Sequence, residues 1–351
     1  MSTGEAAAPR EHGWVLFLSA LASFLLLPAT PVLQVLGPIA QPLVLLMPLL
    51  AVCALVGWLA GGRFLIAAAW VLLAVAALFS APAPAGASIA YVELERGWAV
   101  LLAAAFGFVS LAGPSARFFT RALVTLVVAL ALAAVAFLGA ARPAATMANT
   151  ISAEVNRRTG IAEQEWQKAV VGSPGYQNAL SAAGPDGRAG AEEMEHTMHD
   201  LVTTLPAREG QRFFPALLAL ESLCALALAW ALYHRLSRAR VGAPLARLRD
   251  FRFNDQLVWG VIVGIVFLAV PTLHAWRNVG ANLTLFFGTL YAVRGTGVLA
   301  WFLRSARPGL VTVLAVALLV GLLAPAFALG LGLIGLGDTW EDWRAKARPT
   351  T

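Results

Sequence analysis

The sequence predicts an all-α fold, a polytopic transmembrane helical bundle. Three observations carry this. First, 59% of the 351 residues are hydrophobic and 13% are charged, against ~45–50% and ~25% in soluble domains. Second, the apolar residues fall in long uncharged runs, and the mean hydropathy is +0.75, the pattern of helices that cross a bilayer. Third, the ~10-residue alternating segments of a membrane β-barrel do not occur.

In chain order the apolar runs are 14–27, 41–59, 64–79, 98–111, 118–138, 213–234, 257–274, 282–303 and 311–336. Several fall short of the ~20 residues of an upright span and need their flanks. Nine spans are expected, with eight as the alternative, because Pro28, Pro31 and Pro38 break up the first region. That region is either a retained first helix or a re-entrant or interfacial segment, and the N-terminus does not have the form of a secretory signal. Trp14, Trp58, Trp98, Trp230, Trp276 and Trp340 mark run edges, as an interfacial aromatic belt would.

The formal net charge is +6. The arginines sit in short loops between apolar runs, which is a topology signal and not a nucleic-acid footprint. Arg235, Arg238, Arg240, Arg247, Arg249 and Arg252 crowd one loop and read as cytoplasmic, and Arg10, Arg63, Arg117, Arg121, Arg304 and Arg307 then fall on the same side. Glu93 and Glu95 fall in an outer loop, the N-terminus inside and the C-terminus outside. The expected location is a bacterial inner membrane.

Residues 142–212 turn polar. They read as an extracytoplasmic helical insert between N-terminal membrane helices (1–141) and C-terminal ones (213–351). Helices are expected at about 149–171 and 191–204, with a Gly- and Pro-rich loop between them.

Arg294 lies near the middle of an apolar run, and a charge at that depth faces a partner or a wet cavity. Thr284, Gly288, Ala292, Thr296 and Ala300 recur every four residues as a small-residue packing stripe, and Arg294 points away from it. Glu221 is the acid expected to pair with it. At 1.5 Å per residue the two sit about 12 and 18 Å below the outer ends of their runs, about 6 Å apart in depth. Arg294, Glu221, Asn282 and Tyr291 are therefore the candidate ligand-binding residues, and a register-fixing ion pair is the competing reading.

Glu192, Glu195, His196 and His199 could share one helix face, but H-E-x-x-H is absent, so no metal is expected. Cys53 and Cys224 lie in apolar runs and imply no disulfide framework. No P-loop, no nucleophile elbow and no pair of carboxylates on one membrane face is legible, so neither an enzyme nor a cofactor is expected. The stretch ARLRDFRF suits contact with anionic membrane lipids.

At RLRDFRFNDQLVWG (247–260), at Asn282, Tyr291 and Gly295, and at GLGDTWEDWR (335–344), the chain resembles the YybS-like predicted membrane proteins of bacteria, a domain family of unknown function. That family is similar in turn to the S subunits of energy-coupling-factor vitamin transporters. The resemblance implies a small-solute-binding or transport-related subunit, docking on a transmembrane coupling protein with ATPases. The chain departs from an S subunit in having more than the usual six spans and in carrying the 142–212 insert. The alternative is a non-transporting scaffold or assembly factor acting through helix and cap contacts with another membrane protein.

Overall fold

Among the described residues, proline and glycine punctuate a mostly helical chain. The computed structural model describes residues 13–29, 31–84, 86–139, 144–237, 239–303 and 324–346. Two compact units divide it, Met1–Leu245 and Ala246–Thr351. Among the described residues five helices are long and apolar enough to cross a membrane, and Trp14–Leu25, Phe64–Ser80 and Asp255–Ala269 are shorter apolar segments. Residues 304–323, which include half of the ninth expected run, lie outside the described residues.

The first unit opens with α1 (Trp14–Leu25) and the short α2 (Pro31–Leu36). A non-helical stretch, 37–41, then leads into α3 (Pro42–Leu59). Pro38 disfavours helix at Gly37, and Pro42 begins the next helix where its missing N–H costs nothing. Helices α4 (Phe64–Ser80), α5 (Ile89–Ala112) and α6 (Phe118–Gly139) follow, with Ser88 capping α5 by accepting the Tyr91 N–H.

Helix α7 (Ala144–Trp166) ends in a π-helical turn. The expected Gly- and Pro-rich loop holds a further helix, α8 (Pro174–Ala182), because Ser173 caps it and Pro174 supplies its first residue. Helix α9 (Pro185–His199) runs through a second π turn into α10 (Leu205–Leu236), so the polar stretch joins the apolar run without a break. Helix α7 packs on α2 and α10.

The turns bearing Arg63, Arg121 and Arg240 gather at one end of this unit. Arg121 is buried there with its guanidinium 4.5 Å from the Trp230 ring. It donates to the carbonyls of Gly113, Pro114 and Ala116 beyond the C-terminus of α5, where a cation complements the helix dipole. Residues 239–245 fold back over it. Gly242 has φ +73 and lies so close to the Arg121 guanidinium that a side chain there would press on it. Trp98 and Trp230 are both buried, contrary to the interfacial reading, because each indole N–H finds an internal acceptor, Ser222 and the Ala243 carbonyl.

The second unit is a hairpin of α11 (Val258–Ala269) and α12 (Arg277–Phe302), followed by α13 (Ala324–Glu341) and the short α14 (Trp343–Lys346). Helices α11 and α12 approach at glycines: a Cβ at Gly264 would strike Thr284, and one at Gly280 would strike Gly264. Helices α12 and α13 are closer still. A Cβ at Gly295 would collide with the Leu331 carbonyl, and one at Gly335 with the Tyr291 carbonyl. The expected stripe is split between neighbours. Thr284 meets α11, a Cβ at Gly288 would meet nothing within 4 Å, and Thr296 donates to the Ala292 carbonyl within its own helix. The deepest face of α12 is instead Leu290, Tyr291, Arg294, Gly295 and Val298.

Candidate functional site: two buried polar clusters

In the second unit, Arg294 is buried, and its partners are Asp338 and Asp255 where the sequence suggested Glu221. Its Nε donates to Asp338 Oδ2 at 3.1 Å, and its Nη1 to Asp255 Oδ1 at 2.7 Å. Asp338 is wholly buried and also receives Arg344 in a two-pronged pair, Nη2 to Oδ2 at 2.6 Å and Nε to Oδ1 at 3.3 Å. Arg344 reaches back because Asp342 adopts a left-handed backbone (φ 39) between α13 and α14, a conformation Asp tolerates better than most residues. Asp342 is held in turn by Arg252. The remaining Arg344 amine donates to the carbonyls of Arg249 and Phe251. Phe253 lies 5.4 Å from the Arg294 guanidinium and edge-on to Tyr291 at 5.0 Å.

The segments that carry the resemblance therefore meet in space: 247–255, Tyr291 with Arg294 and Gly295, and 335–344. Three arginines (252, 294, 344) face three aspartates (255, 338, 342). This balance leaves the core of the network with no spare charge for a ligand. Asn282, near the start of α12, donates its amide to the Asn278 carbonyl at 2.8 Å, a local helix bond.

Glu221 lies in the first unit, in a cluster the sequence did not reveal. Its Oε2 accepts the backbone N–H of Ile39 at 3.1 Å. The next N–H, of Ala40, goes to Glu95 Oε1 at 2.6 Å. Two glutamates from α10 and α5 thus grip adjacent peptide groups of the 37–41 break. The same break receives the Tyr91 hydroxyl on the Pro38 carbonyl at 2.5 Å. Arg158 of α7 donates to the carbonyls of Gln34 and Gly37. Arg158 also pairs with Glu154 at 2.8 Å and Glu95 at 3.4 Å, and sits 5.1 Å from the Tyr91 ring. Arg157 completes the group on Glu154.

Glu95 was expected in an outer loop, and no two carboxylates were expected to share a face; both readings are corrected here. Glu95 is buried two turns into α5 while Glu93 points to the exterior. Its place on the inner face follows from the spacing of Tyr91, Glu95, Trp98 and Leu102, all buried on one side. A cavity of about 10 Å³, lined by Glu95, Arg96, Gln41 and Pro82–Pro84 among others, adjoins it, about the room one water needs.

Burial alone would raise the Glu154 carboxyl, but the hydrogen bonds from Arg157 and Arg158 prevail and hold it below its ordinary range. The histidine face on α9 disperses. His196 pairs with Asp200, His199 with Glu163, and Glu195 accepts from Tyr176. Among the described residues no group of three possible metal ligands converges.

Residues 177–339 match a family model described as "Predicted membrane protein (DUF2232)". The matched stretch runs from α8 into the end of α13 and takes in Glu221, Asp255, Arg294 and Asp338. No curated protein and no solved structure matches the chain.

Proposed function

We propose that this membrane protein is a non-enzymatic, small-solute-binding or transport-related subunit, and that its working site is the cluster around residues 37–41. The observation that carries the reading is the grip of Glu95 and Glu221 on consecutive N–H groups of a broken helix. Irregular backbone at membrane depth is tolerated where protein covers it or where it lines a cavity. Discontinuous helices with ionisable partners are a recurrent way to build transporter sites. Three carboxyl groups here meet two guanidiniums, so one carboxyl is left without a guanidinium and is available to a cationic solute or a proton.

Of the residues expected to bind ligand, Glu221 stays in this site. Arg294 and Tyr291 belong to the balanced network, and Asn282 to a local helix bond. The basic loops favour an orientation in a bacterial cytoplasmic membrane with this cluster toward the outer face. The sequence resemblance to a family that is itself similar to transporter S subunits favours a separate coupling protein with ATPases as partner.

Native mass spectrometry of gently solubilised protein tests the reading. A discrete small-molecule adduct is expected, lost in Glu221→Gln and Glu95→Gln and retained in Asn282→Ala. No adduct, or one indifferent to both glutamates, overturns it. The close packing of α12 on α13 and their balanced ion network favour a second reading, a scaffold or assembly factor. Under that reading, capture of a membrane protein in place of a solute is the expected result.

A further inference from the structure

A second feature of the first unit lies at the opposite end from the glutamates. Between α3, α4 and the last turn of α10 is a groove of about 500 Å³. Its walls are apolar, with Leu50, Ala54, Ile66, Trp70 and Leu232 among them, and its rim carries Arg63 and Ser237. Arg63 is exposed and follows Gly61, whose positive φ (+95) turns the chain sharply between α3 and α4.

Among the described residues of the turns that form this end, the charge is of one sign. Arg63, Arg117, Arg121 and Arg240 belong to its turns, and the sequence has no Asp or Glu in 42–92, 97–153 or 222–245, the segments that build it. Arg121 is buried there with its Nε and Nη1 lacking any hydrogen-bond partner among the described residues. An apolar trough with the exposed Arg63 at its rim and no carboxylate among its lining residues is complementary to one chemistry, an acyl chain carrying an anionic headgroup. It also lies at the end that the arginine distribution assigns to the leaflet where anionic lipids attract basic residues.

We infer that this groove is a binding site for an anionic phospholipid, with an acyl chain along Ala54, Ile66 and Trp70 and the phosphate at Arg63. The site is separate from the glutamate cluster and does not depend on the role proposed for it.

The test is native mass spectrometry of the full chain from micelles containing equal amounts of phosphatidylglycerol and phosphatidylethanolamine with matched acyl chains. Preferential retention of phosphatidylglycerol is expected. An arginine near a membrane surface contributes about 1 kcal/mol toward anionic lipid, so Arg63→Gln should lower that preference about fivefold. Ala54→Phe, which fills the trough, should reduce retention of the lipid. Because Arg63 is exposed, its variant folds whether or not the Ala54 variant does. Millimolar inorganic phosphate should leave the adduct in place. Displacement by phosphate would replace the lipid with a soluble phosphate as occupant and overturn the inference. Equal retention of the two lipids, or a preference unchanged in Arg63→Gln, would overturn it as well.

Discussion

Arg294 Nε and Asp338 Oδ2 meet at 3.1 Å with neither side chain appreciably open to solvent. The contact joins the middle of α12 to the last turn of α13, and Arg344 closes on the same carboxylate from the far side of the turn at Asp342. Removing one member of a buried pair strands the other charge, at a cost of about 3–5 kcal/mol. Asp338→Leu strands two guanidiniums, whereas Arg294→Leu leaves Asp338 held by Arg344. Asp338→Leu should therefore be the more damaging substitution, read as the loss of monodisperse protein on heating in detergent.

A double-mutant cycle separates the two candidate partners of Arg294. With Asp338 the residues share a bond, and the coupling should lie in the ~0.5–3 kcal/mol range of contacting residues. With Glu221, whose carboxylate is engaged by Ile39, the two effects should add to within ~0.5 kcal/mol. Non-additive behaviour of Arg294→Leu with Glu221→Leu would restore the partner first expected.

The glycines of α12 and α13 are not equivalent. Gly295→Ala and Gly335→Ala each drive a methyl into facing backbone, which cannot rotate away. The helices must part, and overpacking of this kind costs ~1–3 kcal/mol. Gly288→Ala and Gly330→Ala meet open space and should hold or raise stability, since alanine is the better helix former by about 1 kcal/mol. Thermal midpoints of the four variants check this.

Most helices were legible because hydropathy and prolines mark their limits. Arg294 was legible as a residue that requires company, since an unpaired guanidinium among apolar residues is costly in any fold. Its partner was not. Depth along the membrane normal matched it to Glu221, but partnership also needs the two side chains to face each other around their helices. The sequence contains that second coordinate only for neighbours on one helix. Asp255 and Asp338 stood in the segments that carry the family resemblance, so the signal was present as co-occurrence and lacked geometry. Glu95 was missed because a carboxylate beside Glu93 and Arg96 reads as a loop. Only the period of Tyr91, Trp98 and Leu102 around it shows that the helix has already begun.

Glu154 gives a pH dependence of defined sign. Its carboxyl is held below its ordinary range by Arg157 and Arg158. Its contribution is therefore fully present above the carboxylate's unfolded value, near 4.3, and is lost as the pH falls through the lower folded value. Docking of α7 on α2 and α10 should weaken in that acid window. Hydrogen exchange in 144–166 should rise there in the native protein, whereas Glu154→Gln should show raised exchange already at neutral pH and little further change on acidification.

The break at 37–41 allows structural and functional roles of Glu95 to be split by two substitutions. Gln at this position keeps an oxygen that can accept the Ala40 N–H and loses the charge that faces Arg158. Leu loses both and strands a peptide group, at about 1–3 kcal/mol for an unsatisfied buried polar group. If Glu95 serves only to hold the break, Glu95→Gln should behave like the native chain in both stability and solute retention. If its charge serves the solute, Glu95→Gln should keep a near-native thermal midpoint yet lose retention, and Glu95→Leu should lose both. The second pattern is expected, because a neutral amide would satisfy the backbone equally well, whereas an ionisable group inside a membrane protein is a costly choice for a purely mechanical task.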